Sequence, residues 1–146
     1  MKRPAVRPAS AADAEAVAAL ARREFAAGWS RDAYAAEAAR ADSLFLVWAS
    51  ADGAVRGYVV ARVQEAEARL LDLASAEDGR GIGRELWGAL AAAASARGAR
   101  ALTLEVSDRN ARARAFYERA GAVVVGRRPK FYNDGSDAVL MNRSLD

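Results

Sequence analysis

The sequence predicts an α/β fold in which helices cover both faces of a mixed β-sheet. Strand-like apolar segments alternate with segments of helical spacing, and a chain of 146 residues has the length of one ordinary domain, residues 1–146. Asp52-Gly53 is a typical hairpin turn, and a glycine-rich turn at residues 79–84 joins a strand to a helix. These features predict the element order β-α-α-β-β-β-α-β-α-β-β.

The first part of the chain predicts one short strand and two helices. The strand lies at Ala5–Arg7, and Ser10, with an acid three residues later, caps the first helix. Apolar residues recur along that helix at helical spacing: Val17, Leu20, Ala21 and Phe25. Ser30 caps a second helix, which is predicted to run to about Ala41 with Tyr34 on its inner face.

The rest of the chain alternates between strands and helices. Three apolar segments predict a meander of strands: Leu44–Ala49, Gly57–Val63 and Leu70–Ala74. The later strands are predicted at three places: Ala101–Val106, Val123–Arg127 and Ala138–Arg143. Two helices lie among these strands: Glu85–Arg97 and Asn110–Ala120. Because these helices fall between strands, the sheet is expected to be mixed.

The composition excludes several kinds of chemistry. Without cysteine or histidine, the chain offers no disulfide, thiolate ligand, cysteine nucleophile, imidazole base or histidine-ligated zinc. Proton transfer must fall to a carboxylate, tyrosine, lysine, the N-terminal amine or water. The net charge of +3 is spread over 22 basic and 19 acidic residues, without the basic stripe of a nucleic-acid-binding protein. No apolar run reaches the ~18 residues of a membrane span, and no signal peptide is recognisable. We therefore expect a cytoplasmic protein with no nucleic-acid or membrane partner.

The glycine-rich turn has the sequence Gly79-Arg80-Gly81-Ile82-Gly83-Arg84. Three glycines at alternate positions let the backbone approach an anion, and the N–H groups that open the next helix can ligate a phosphate. Arg80 and Arg84 add positive charge. The turn lacks the Gly-Lys-Ser/Thr ending of a P-loop and does not match the dinucleotide-binding pattern G-x-G-x-x-G. It is therefore either a phosphate-binding turn or a tight connection between a strand and a helix.

Three polar residues on the following strand and helix are candidates for proton transfer and binding. A period of two places Leu102, Leu104 and Val106 on one strand face and Thr103 and Glu105 on the other. Taken singly, Glu105 could be a surface residue, Asn110 a helix cap and Tyr117 a core aromatic. Taken together, Glu105 and Tyr117 could face one cleft and supply a base and an acid without histidine.

The segment from Leu70 to about Leu145 resembles the GNAT (Gcn5-related) N-acetyltransferases. The glycine turn is similar to the acetyl-CoA pyrophosphate loop of that family, Q/R-x-x-G-x-G/A. A second block resembles the pattern L-E-V…N…A-x-x-L-Y-x-x-x-G-F; it consists of Leu104-Glu105-Val106, Asn110 and Ala115–Gly121.

Within the family, the chain is most similar to the RimI group, bacterial enzymes that acetylate the N-terminal alanine of a ribosomal protein. Three further segments carry this resemblance: Phe25 with Trp29-Ser30, Glu67–Ala74, and Arg127-Arg128 with Phe131-Tyr132, Gly135 and Asp137-Ala138. The implied fold is a central mixed, mostly antiparallel sheet of six to seven strands flanked by about four helices.

The resemblance also implies direct transfer from acetyl-CoA in a ternary complex, with no metal. Glu105 would be the general base that takes a proton from the acceptor ammonium, and Tyr117 would be the general acid that protonates the CoA thiolate. Asn110 would bond the pantetheine arm. Backbone groups of three residues would contact the pantetheine and thioester: Leu73, Ala74 and Ser75. Six residues would hold the pyrophosphate: Gly79, Arg80, Gly81, Ile82, Gly83 and Arg84.

Two positions depart from the family pattern. Asp78 stands where the family has Gln or Arg, in a connection that is shorter than the common form, and an aspartate there repels a pyrophosphate unless it points away. Ala122 stands where phenylalanine is frequent. The expected acceptor is a protein N-terminus, such as that of a ribosomal protein, and the expected state is a monomer or weak dimer. Two alternatives stay open: a GNAT enzyme of small amines or lysine, and a non-catalytic CoA-binding module.

Overall fold

A computed structural model of the chain describes residues 5–24, 28–76 and 81–146. Within these ranges one sheet contains seven strands: β1 (Ala5–Pro8), β2 (Ser43–Ala49), β3 (Val55–Gln64), β4 (Glu67–Ser75), β5 (Ala101–Ser107), β6 (Val123–Arg128) and β7 (Ala138–Ser144). Four α-helices lie in the same ranges: α1 (Ala14–Arg23), α2 (Arg31–Ala38), α3 (Ile82–Ala96) and α4 (Ala111–Arg119). The elements follow the predicted order, and the predicted fold class is confirmed.

Helix α2 begins where the sequence predicts but ends earlier. The hydroxyl of Ser30 accepts the N–H three residues further on at 3.1 Å, which caps the first turn. The helix ends at Ala38 rather than near Ala41, because the N–H of Ala39 bonds the carbonyl of Ala36 at 3.2 Å. This bond over three residues tightens the last turn and directs the chain into β2.

The sheet has the strand order β1-β2-β3-β4-β5-β7-β6. Neighbouring strands pair antiparallel everywhere except between β4 and β5, which are parallel and are connected through α3. The parallel pairing is short, because it joins only Glu67–Arg69 to Ala101–Thr103. The sheet is therefore continuous at one end of β4 and open at the other.

Apolar side chains pack on both faces of the sheet. On one face, α3 and α4 cover a cluster that includes Leu44, Leu46, Val59, Leu102 and Leu104. On the other face, α1 and α2 cover a cluster that includes Phe45, Val47, Tyr58, Val60 and Ala74. Successive residues of β2 alternate between the two clusters, which explains why this strand is apolar along almost its whole length.

A bulge in β4 changes which face its side chains occupy. Ala61 of β3 pairs with Leu70 and Val60 pairs with Asp72, so Leu71 is an extra residue in β4. Before the bulge, Leu70 belongs to the cluster under α3. After it, Asp72 bonds tyrosines on the side of α1 and α2. The bulge lies just beyond the last residue that pairs with β5, so it marks the point where the two strands part.

Candidate functional site

A cleft lies between β4 and β5 near the centre of the sheet. Because the pairing of these strands ends at Arg69 and Thr103, their facing edges separate towards the C-terminal end of β4. The cleft has a volume of about 600 Å³. It is lined by β4, β5, α4, the start of α3, Glu24 after α1 and Tyr132 between β6 and β7. Its walls therefore include residues from both faces of the sheet.

The start of α3 forms one end of this β4–β5 cleft. Gly81 has a positive φ of 75° at the position that caps the helix, where glycine adopts the conformation without strain. The first intrahelical bond runs from the N–H of Glu85 to the carbonyl of Gly81, which leaves the earlier N–H groups of the first turn without helical partners. A Cβ on Gly83 would lie 3.4 Å from the ring of Phe116, so glycine permits this close approach of α3 and α4.

The predicted residues of the glycine turn are placed as follows. Gly81 and Gly83 lie at the start of α3, and Gly83 lines the cleft. The side chain of Ile82 is buried in the core, so only its backbone can face a ligand. Arg84 is exposed on α3. Four residues named in the sequence analysis lie outside the described ranges: Phe25, Asp78, Gly79 and Arg80.

The edge of β4 supplies backbone groups to the cleft. Leu73, Ala74 and Ser75 line it, and their other edge pairs with β3. The N–H of Ala76 donates to the carbonyl of Arg56 in the direction of β3, at 2.7 Å. Successive residues of a strand direct their N–H and C=O groups to opposite edges, so Ser75 and Leu73 direct theirs away from β3 and towards the cleft. At this end β5 no longer pairs with them, and their N–H and C=O groups can bond a ligand.

Asn110 both caps α4 and lines the cleft. Its Oδ1 accepts the N–H of Ala113 at 3.1 Å, as the cap interpretation predicted. The amide nitrogen of the same side chain is left to donate to another group. Capping therefore fixes the orientation of this donor rather than competing with a binding role.

Tyr117 reaches the cleft from α4. Its ring packs against Trp87, with centroids 5.5 Å apart, and against Phe116 at 5.3 Å, and only 9% of the residue is exposed. Among the described residues its hydroxyl has no hydrogen-bond partner. Burial raises the pKa of this hydroxyl above its usual value, and the charge of Asp72 adds to the effect. Tyr117 is therefore protonated at neutral pH and can donate a proton into the cleft.

Glu105 reaches the same cleft from β5, on the side opposite Leu104 and Val106. Its Oε1 lies 3.1 Å from Nη2 of Arg69 and 3.5 Å from Nη2 of Arg128. The side chain is 15% exposed, and within the described part of the chain Oε2 has no bonded partner. Two guanidinium groups thus contact one oxygen of a carboxylate that lines the cleft, and they leave Oε2 without an ion-pair partner among the described residues.

The structure brings together the two residues that the sequence predicts as base and acid, and it adds one that sequence reasoning missed. Asp72 also lines the cleft and accepts hydrogen bonds from Tyr34 and Tyr58. A signal for it was present, because a single acid stands in the middle of the apolar run Leu70–Ala74. The arginine pair beside Glu105 had no such signal, because it depends on how β4 and the end of β6 are placed relative to β5.

The described residues fit acetyl-CoA. The α3 terminus offers N–H groups suited to phosphate, and the open edge of β4 offers backbone groups suited to the amides of an extended arm. Between them, the amide of Asn110 is held in place as a further donor. Within the described ranges no group of three or more acidic, histidine or cysteine side chains could hold a metal ion, and no helix there is long and apolar enough to cross a membrane.

Comparisons with known proteins identify relatives of the whole fold. The model of the acetyltransferase (GNAT) family matches residues 14–122. The ribosomal-protein-S18-alanine N-acetyltransferase of Escherichia coli is 26% identical, with a TM-score of 0.87 over 98% of this chain and 94% of that one. Ard1 of Thermoplasma volcanium is 27% identical, with a TM-score of 0.86 over 97% of each chain. Nourseothricin acetyltransferase is 32% identical, with a TM-score of 0.68 over 73% of this chain and 67% of that one. No curated protein sequence matches. The resemblance predicted from the sequence is confirmed.

Proposed function

Because the chain belongs to the acetyltransferase (GNAT) family, its acetyl donor is acetyl-CoA, and we propose that its acceptor is the N-terminal α-amine of a protein. The observation that carries this proposal is the β4–β5 cleft, into which Glu105 and Tyr117 both project. The similarity to the Escherichia coli enzyme over nearly the full length of both chains supports a ribosomal protein as the substrate. In this proposal residues 1–146 form one catalytic domain that works in the cytoplasm.

The two ends of the cleft suit different substrates. The start of α3, the backbone of Leu73 and Ser75, and the amide of Asn110 form the side that would hold the donor. The carboxylates of Asp72 and Glu105 lie towards the other face, where an amine could approach. A donor arm between the strands would therefore end beside the acceptor, which supports direct transfer between two bound substrates.

Glu105 and Tyr117 would move the protons of this transfer. Oε2 of Glu105 accepts a proton from the acceptor ammonium, whose nitrogen then forms the C–N bond to the acetyl carbon as the C–S bond breaks. Tyr117 donates its proton to the departing sulfur and regains one from the nitrogen, which becomes the amide. One proton in total leaves to solvent through Glu105. A backbone N–H of Leu73 or Ser75 would stabilise the negative charge on the carbonyl oxygen.

A second candidate is acetylation of a small amine or of lysine. The similarity to nourseothricin acetyltransferase, at 32% identity over a shorter part of the chain, favours this alternative. The same base and acid would serve both reactions, since each removes a proton from an amine and gives one to sulfur. The two candidates therefore differ in the acceptor and not in the roles of Glu105 and Tyr117.

The test is mass spectrometry of peptides incubated with the protein and acetyl-CoA. The panel contains peptides with free or blocked α-amines, each with and without lysine, and a set of small amines. Addition of one acetyl group to free N-termini alone is the expected result. Acetylation of lysine in a blocked peptide, or of small amines only, would replace the proposal with the second candidate. Absence of transfer to every amine would overturn both.

Substitutions then test the two roles. Glu105→Gln and Tyr117→Phe should each lower kcat by about a hundredfold, the lower range for loss of general acid–base catalysis. Glu118→Gln is the matched control, because Glu118 is exposed on α4 next to Tyr117 and its carboxylate forms only a long ion pair within the described ranges, with Arg114 at 3.9 Å. A kcat within a few-fold of wild type for Glu105→Gln would remove Glu105 from the mechanism, and the same holds for Tyr117→Phe.

A further inference from the structure

Asp72 is a buried carboxylate at the wall of the β4–β5 cleft. Only 7% of the residue is exposed. Its Oδ2 accepts hydrogen bonds from the hydroxyl of Tyr34 at 2.7 Å and from that of Tyr58 at 2.6 Å. The two hydroxyls lie 3.2 Å apart, and both tyrosines are completely buried. Tyr34 belongs to α2 and Tyr58 to β3, so the carboxylate is held from two directions.

The tyrosines do not themselves line the cleft, whereas Asp72 does. Burying a carboxylate costs several kcal/mol unless it is hydrogen-bonded, and two hydroxyl donors on one oxygen offset part of that cost. A neutral amide oxygen in the same place could accept the same two bonds. The two tyrosine bonds by themselves therefore do not require a carboxylate at this position.

The bulge in β4 determines where this charge lies. If Leu70, Leu71 and Asp72 alternated regularly, Asp72 would share the face of Leu70 under α3; because Leu71 is an extra residue, the two lie on opposite faces. With the bulge, Asp72 lies on the same side of the sheet as Glu105, towards the acceptor end of the cleft. Glu105 already shares its charge with Arg69 and Arg128, at 3.1 and 3.5 Å.

We propose that Asp72 binds the ammonium group of the acceptor and positions it for deprotonation by Glu105. The proposal rests on the proposed function in one respect, that an amine enters this cleft. Tyr34 and Tyr58 are positioning residues, because they hold the carboxylate without touching the acceptor. Other titratable or charged side chains also line the cleft: Glu24, Glu105, Arg112, Tyr117 and Tyr132.

The test compares two peptides on the wild type and two variants. One probe is a hexapeptide that begins with alanine and has a free α-amine; the other is its desamino counterpart, in which propionyl replaces alanyl. Binding of each is measured by calorimetry in the presence of CoA, at pH 6.5 and pH 9.5, for wild type and Asp72→Asn. CoA affinity and thermal melting report whether the variant folds, and Asp72→Ser serves as a second uncharged variant.

Asp72→Asn should weaken binding of the free-amine peptide about tenfold at pH 6.5, as expected for the loss of a hydrogen bond to a charged group. Binding of the desamino peptide should not change. At pH 9.5 the difference should nearly vanish, because an α-amine with a pKa of about 8 is then neutral. A merely structural role would affect both peptides equally and at both pH values.

Equal weakening of both peptides, or no weakening of either, would overturn the proposal. So would a wild-type protein that does not prefer the free amine, or the loss of CoA binding in both Asp72 variants. Failure of the proposed function is a separate result, because it is scored by mass spectrometry as absence of acetyl transfer to N-termini in the wild type.

Discussion

Gly57 of β3 lies directly beneath the first turn of α3, and an added methyl group there tests how that helix is placed. A Cβ at this position would lie 2.6 Å from Cγ2 of Ile82, 3.0 Å from Cδ1 of Leu86 and 3.3 Å from the carbonyl oxygen of Ala74. Carbon atoms in contact normally lie about 3.5–4.0 Å apart, so the first of these contacts is short by roughly 1 Å. Leu86 can rotate its end, but Cγ2 of an isoleucine in a helix is fixed close to the backbone.

The cost of Gly57→Ala follows from two opposing effects. Overpacking of a core costs about 1–3 kcal/mol, and replacing glycine in a strand by alanine returns roughly 0.5–1 kcal/mol of backbone entropy. We expect a net loss of about 1 kcal/mol in the free energy of unfolding, from the middle of the two ranges. Gly88→Ala is the matched control: Gly88 lies in α3 with nothing within 4 Å of an added Cβ, so that variant should gain about 0.5–1 kcal/mol.

Urea unfolding of both variants measures this difference, and steady-state kinetics measure its consequence. Ile82 is the first residue of α3, so its displacement should raise the KM for acetyl-CoA more than the KM for the acceptor. Adding Ile82→Ala removes the clashing methyl, and the two changes together should cost less than their sum. A Gly57→Ala variant as stable as wild type would refute the packing argument. A destabilised variant with an unchanged KM for acetyl-CoA would refute the inference that the start of α3 contributes to binding of the acetyl donor.

Two predictions concern pH. Burial raises the pKa of three tyrosine hydroxyls, Tyr34, Tyr58 and Tyr117, so stability should hold up to about pH 10 and then fall by about 1.4 kcal/mol per pH unit for each tyrosine. In urea unfolding from pH 9 to 11, the free energy of unfolding of Tyr58→Phe should fall less steeply with pH than that of the wild type. An equal slope for the two proteins would contradict this. Arg62 bonds the buried carboxylate of Glu37 at 2.6 Å and lowers its pKa, so the pair stabilises the fold above the unfolded-state pKa of Glu37 and loses that contribution in acid. Arg62→Met should therefore cost about 2 kcal/mol at pH 7 and less at pH 4, and an equal loss at both would refute it.

The sequence was sufficient to predict the features that depend on local pattern. Period-two alternation placed Glu105 opposite Leu104, and the structure has that arrangement. The cap at Asn110 and the inner position of Tyr34 were also predicted, because a cap needs only its own first turn and helical spacing defines an inner face. Each of these depends on residues within about one turn or one strand of each other.

The features that escaped prediction depend on register between distant segments. The bulge at Leu71 exists only relative to β3, so no pattern within β4 reveals it. Asp72 and Tyr34 are 38 residues apart in the chain, and their bond requires α2 to lie over the bulged strand. The ion pair of Arg69 with Glu105 spans 36 residues and depends on the short parallel pairing of β4 with β5.

The bulge connects the two halves of the proposed site. It lies where the pairing of β4 with β5 ends, so the backbone of Leu73 and Ser75 is open to a donor. It also moves Asp72 to the face where the acceptor would approach. A β4 that kept Leu71 but paired without a bulge would lose both properties together, because continued pairing would close the cleft and strict alternation would turn the carboxylate towards α3. Deleting Leu71 would remove the bulge but keep Asp72 opposite Val60 and on the other face from Leu70, so it should impair donor binding, whereas Asp72→Asn should impair acceptor binding alone.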